Sequence, residues 1–87
     1  MAEEEKKLIG KIAHYYSKIG VAVIDLEDEL SVGDEISIEG PSTNFTQTVD
    51  SMQIEHQNIK QAKKGDSIGL KVINAVKEND SVYKMIK

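Results

Sequence analysis

His14 and His56 are the only two imidazoles in the chain, and neither has a second His, a Cys or a carboxylate at a spacing that suggests a metal site. The chain has no Cys, which removes thiol nucleophiles, disulfides and thiolate zinc centres together. Ser and Asp are plentiful, but no Gly-x-Ser-x-Gly turn presents a strained hydroxyl. No Gly-x-x-x-x-Gly-Lys-Ser/Thr loop is present to cradle phosphates, which excludes a nucleotide hydrolase of that type. The carboxylates Asp25, Glu27, Asp28 and Glu29 crowd together, yet they lack the glycine and the spacing of a calcium loop and read as a solvated loop. The chemistry expected is therefore noncatalytic, with no cofactor and no metal.

Binding chemistry is what remains. Lys60, Lys63 and Lys64 form the densest basic cluster, and as three phosphate contacts they would give a salt slope of only about −2 on a single strand. All 11 basic residues are Lys, so the planar forks that grip phosphate or base edges are missing. The net charge of −4 also opposes sequence-independent nucleic-acid binding, although it is unevenly spread. Residues 1–55 hold 12 acids and 4 Lys (−8), and residues 56–87 hold 3 acids and 7 Lys (+4). Tyr15, Tyr16, Phe45 and Tyr83 are the aromatics available for base stacking. Most of them read as core or rim.

The elements that would carry these residues are strands. "LIGKIAHYY" and "IGVAVIDL" are β-rich runs joined by a tight hairpin at Ser17 and Lys18. The second is apolar on both parities, which predicts a central strand covered on both faces. Val32-Gly33-Asp34 turns into a half-buried strand with Ile36 and Ile38 on one face, and Gly40-Pro41-Ser42 ends it. A long strand from about Phe45 to His56 follows, but its apolar residues change side: Phe45 and Val49 share one parity, Met52 and Ile54 the other. That change predicts a bulge or sharp bend near Asp50 and Ser51. "QNIKQAKKGD" suits a helical or 3₁₀ turn that tucks Ile59 and Ala62 inward, and Gly65-Asp66 turns the chain. Ile68, Leu70 and Val72 mark the next strand, with Gly69 within it counted among the turn-forming glycines, and "SVYKMI" the last.

Six short strands, glycine turns and no long helix predict a small closed barrel, in which the bend serves as a corner. Eighty-seven residues suffice for one domain, expected over residues 8–87 behind a flexible tail of residues 1–7. The polar, acidic opening MAEEEKK and the lack of a long apolar run predict a cytoplasmic protein with no membrane partner.

"LSVGDEISIEG", "TQTVDSMQIEH" and "AKKGDSIGLKV", in this order, resemble the second domain of translation elongation factors of the Tu/1A type. In those factors a Val-Gly-Asp or Val-Gly-Glu turn, a Val-x-Ser-x-Glu-Met-x-His strand and a Pro-Gly-Asp-x-Val-Gly turn follow one another. "GPSTNFTQTV" also resembles the short C-terminal barrel of the U32 peptidase family. The resemblance spans about residues 8–86 and implies an all-β, closed six-stranded Greek-key barrel. It further implies RNA contact, with the tRNA 3′ end or the ribosome as partner. Gln53 lies where the factors have a Glu near the terminal adenosine, and His56 where they have a His or Arg; Gln keeps hydrogen bonding but not charge. The site expected is Gln53, His56, Lys60, Lys63 and Lys64, with Gly33, Asp34, Gly40, Gly65, Asp66 and Gly69 as structural turns. Two functions follow. One is a stand-alone translation-type module that binds RNA or a translation-associated partner such as a separate GTPase. The other is a protein-interaction barrel serving a U32-type or other RNA-modifying enzyme.

Overall fold

The computed structural model describes residues 5–86, which are all-β, with no helix among them. In chain order the strands are β1 (Glu5–Tyr16), β2 (Val21–Leu26), β3 (Leu30–Ser31), β4 (Glu35–Gly40) and β5 (Thr43–Thr48). They continue as β6 (Met52–Ile54), β7 (Gln57–Ile59), β8 (Gln61–Ala62), β9 (Ser67–Lys71) and β10 (Ser81–Ile86). Eight of them form one sheet in the order β5-β4-β10-β1-β2-β9-β6-β7, while β3 pairs with β8 apart from it. Neighbours in both sheets run antiparallel.

The rows of side chains across the strands explain why the sheet curls. Ile12, Ile24 and Ile68 face one another on β1, β2 and β9, and all three are fully buried. The next row runs Tyr15, Ala22, Leu70, Met52 and Ile59, and on the other flank Val82, Ile38 and Phe45 align. One apolar core results, closed by Leu30 and Ala62 from the small sheet and by Val49, Val72 and Val76 from connecting segments.

The expected closed barrel is not found, because the ladder ends at β5 on one side and at β7 on the other. The predicted long strand bridges that gap. After β5 the chain leaves the sheet at Val49, whose N–H donates to the Asp34 carbonyl and whose carbonyl accepts from Gly33, each at 2.8 Å. It rejoins the sheet at Met52, beside the opposite edge. Val49 and Met52 are both buried although three residues apart, which a continuous strand would forbid. The change of parity is thus a crossing between the two sides of one sheet. Gln47 spans the same seam: its Nε2 donates to the Lys71 carbonyl and its Oε1 accepts from the Ile73 N–H, both at 2.9 Å.

Other expectations are corrected in detail. "QNIKQAKKGD" forms no helical turn; β7 and β8 flank a bend at Lys60, which sets Ile59 opposite Met52 and Ala62 opposite Leu30. Those two pairings bury Ala62, half-bury Ile59 and give β3 a partner. Glu5–Lys7, expected in the tail, pair with β10; residues 1–4 lie outside the described residues. The run Ile19–Leu26 is not covered on both faces: Ala22, Ile24 and Leu26 are buried, Val21 and Val23 only partly, and Ile19 in the hairpin turn is 62% exposed.

Three turns of one design connect the strands. In Ser31–Asp34, Lys63–Asp66 and Lys77–Asp80 the first N–H donates to the terminal Asp carboxylate at 2.9–3.0 Å, and the Asp N–H returns to the first carbonyl. The third residue has positive φ in each case, at Gly33, Gly65 and Asn79, as a type II turn requires. The outer face carries ion pairs. The Lys6 ammonium pairs with Glu39 and lies 4.9 Å from the centre of the Tyr83 ring. Lys6 first, and then the Ser37 hydroxyl, hold the Glu39 carboxyl below the ordinary carboxylate range. A depressed carboxylate contributes stability above its unfolded pKa and loses it as pH falls through the folded value. Stability in urea should therefore be flat above about pH 5 and decline below about pH 4. Glu39→Gln should make that acid decline shallower, by a modest amount because the pair is solvent-screened.

Candidate functional site

Outward-facing residues of β2, β9 and β6 would normally cover one another, but the central position on β9 is Gly69. Its place opposite Val23 and Gln53 leaves a shallow depression of about 280 Å³. Tyr16, Ile19, Val21 and Val23 form its apolar wall, and Gln53, Glu55 and His56 its polar side. Tyr16 is 49% exposed and is braced edge-on by the His14 ring at 4.4 Å. His14 Nδ1 lies 3.2 Å from Glu78, so the wall is tied to the loop before β10.

The polar side of the depression is held in a conformation that side chains disfavour. Glu55 and His56 form the two-residue loop of the β6–β7 hairpin, and both have positive φ, 51° and 66°. A type I′ hairpin needs that geometry and normally takes Asn-Gly for it. Each β-carbon-bearing residue there costs roughly 1–2 kcal/mol. Replacing the pair by Glu55→Asn with His56→Gly should raise stability by about 1–2 kcal/mol, read by thermal unfolding. Unchanged or lower stability would show that the two native side chains repay their strain within the isolated domain.

The predicted site residues do not form one cluster. Gln53 and His56 share the depression, and the Gln53 Nε2 is engaged at 3.0 Å by Asn58 Oδ1 across the hairpin. Lys60, Lys63 and Lys64 are exposed on the segments that lead to β9, and none lines the depression. Lys63 lines a separate, polar hollow with Glu29, Gln61 and Asp66. That loop is bonded to the end of β2 through Gly65 N–H to the Leu26 carbonyl and Leu26 N–H to the Asp66 carbonyl. The acids Glu27, Asp28 and Glu29 thus begin where the lysine loop is anchored, and Asp28 pairs with Lys7. Gly69, expected in a turn, is mid-strand without positive φ, and Gly40 ends β4 paired with Thr43. Ile19, Val21 and Val23 are not among the site residues expected from the sequence. Their signal was the apolar run on both parities, which in a one-layer sheet leaves one parity facing outward.

Among the described residues no group of three or more His, Cys, Asp or Glu could hold a metal, and no Ser or Thr hydroxyl is hydrogen-bonded to a histidine. The one His–carboxylate pair among the described residues, His14–Glu78, is half-exposed with no hydroxyl partner. No helix among the described residues is long and apolar enough to cross a membrane.

No family model matches the chain. It is 42% identical over 76 residues to an uncharacterized protease of Methanocaldococcus jannaschii, covering 86% of this chain and 19% of that protein. It is 38% identical over 88 aligned positions to a collagenase of Porphyromonas gingivalis, covering 99% of this chain and 21% of that one. The chain thus spans about a fifth of the length of these relatives. Among solved structures it superposes on the C-terminal domain of a Geobacillus thermoleovorans protein described as a U32 peptidase, with a TM-score of 0.85 and 22% identity, covering 90% of this chain and 91% of that one. The selenomethionine form of the same domain gives 0.83. These likenesses support the U32 C-terminal resemblance and give no support to an elongation-factor assignment or to RNA binding.

Proposed function

We propose that this domain is a noncatalytic accessory unit of a U32-type enzyme, in the same chain or as a separate subunit. The observation that carries the reading is its whole-domain likeness to the C-terminal domain of a U32 peptidase, at about a fifth of the length of the curated relatives. Catalysis then belongs to the portion this chain does not cover. An exposed apolar depression on its surface supports such a contact-making, accessory role.

Two assays on the 87-residue chain test the reading. Gelatin and casein digestion should show no cleavage, and titration with aminoacylated and deacylated tRNA should show no saturable binding at low or physiological salt. Cleavage abolished by His56→Ala, or aminoacylated-tRNA binding weakened by Gln53→Ala, would overturn it.

A further inference from the structure

We propose that the depression over Gly69 is the seat of the contact between this domain and the rest of a U32-type enzyme, filled by an apolar side chain of the catalytic portion. This rests on the accessory-domain reading above. Four observations favour that occupant. The wall is apolar and exposed, with Ile19 at 62% and Tyr16 at 49%, whereas the floor lacks a side chain because residue 69 is glycine. The space is open and shallow, which suits one protruding side chain of a macromolecule better than a small ligand that must be enclosed. Its titratable lining groups are Tyr16, Glu55 and His56, so it offers no lysine to a phosphate. About four-fifths of each relative lies outside the matched segment, so a large partner surface is available to cover it. The strained Glu55–His56 hairpin has a role here too, since it fixes the polar edge of the seat at the cost of local stability.

Gly69→Leu separates this contact from the fold. A β-carbon at 69 would meet Val21 Cγ1 at 3.5 Å and the Gln53 carbonyl at 3.9 Å, which are ordinary contacts, so the sheet should accommodate it while the depression fills. Ile19→Ser, in an exposed turn, removes part of the wall without filling anything. The experiment replaces the matched segment of the Methanocaldococcus jannaschii protease with this chain and measures hydroxyl-radical oxidation of individual side chains, against the 87-residue chain alone. Oxidation of Tyr16 and Ile19 should slow at least threefold in the full-length chimera. In the Gly69→Leu chimera, Tyr16 should return to the rate of the isolated chain, and in the Ile19→Ser chimera its protection should fall. If Tyr16 is unprotected while Leu8, Val32 or Ile73 becomes protected, the seat is elsewhere and only this inference fails. Protection of Tyr16 that survives Gly69→Leu overturns it equally. If no side chain of the domain becomes protected, the accessory-domain reading fails with it.

Discussion

Ile24→Ala should destabilise the domain by about 2–5 kcal/mol, the range for emptying a branched aliphatic site in a packed core. Ile24 lies on β2, hydrogen-bonded to β1 and β9, and is fully buried between Ile12 and Ile68 in the row that curls the sheet. Its neighbours are held by ladders on both sides and cannot collapse into the space, which places the cost toward the upper end. A domain of this length has total stability of only about 4–13 kcal/mol. At roughly 4–8 °C per kcal/mol, the midpoint of thermal unfolding should fall by at least about 8 °C. Ile73→Ala, on a residue 69% exposed, is the control and should move it little.

Gly10→Ala should be nearly as damaging for the opposite reason, by about 1–3 kcal/mol or more. Gly10 lies in β1 between Leu26 of β2 and Val82 of β10, at the edge of a register shift in the β1–β10 ladder. A β-carbon there would stand 2.5 Å from the Asp25 carbonyl oxygen and 3.1 Å from Ile24 Cγ2. The obstacle is backbone in the middle of a ladder, so relief requires β1 and β2 to separate. Urea unfolding should show a lower midpoint with an unchanged slope; an unaffected midpoint would show that the two strands are not as close as described.

How much of this was legible in the sequence varies with the physics of each segment. Ile36/Ile38 and Ile68/Leu70 alternate with period two on one buried face, and their strands lie where the alternation places them, as does the final "SVYKMI", although only Val82 of it is buried. The parity change between Val49 and Met52 was equally legible, but its meaning was not. It marks a passage from one side of a single sheet to the other, which depends on the pairing of β5 with β4 and of β6 with β9 and on the strands that lie between them in the sheet. Strands of two or three residues, such as β7 and β8, are too short for any period to register, and a pair of anchors three apart fits a turn as well as two strands. The third Asp-capped turn escaped notice because Asn79 stands where the other two have Gly. For the site, the family likeness points to polar residues, whereas the depression arises from a missing side chain at Gly69 beside an apolar run. Gln53 and His56 face it, but the lysine cluster belongs to a different loop.

The most direct test of the central claim uses the Porphyromonas gingivalis collagenase, whose match covers nearly all of this chain. Collagen-peptide cleavage is measured for that protein intact, with its matched segment deleted, with that segment replaced by this chain, and for this chain alone. A noncatalytic accessory domain predicts no cleavage by the chain alone, at least a tenfold loss on deletion, and recovery in the chimera. Cleavage by the isolated chain, or full activity after the deletion, would contradict it.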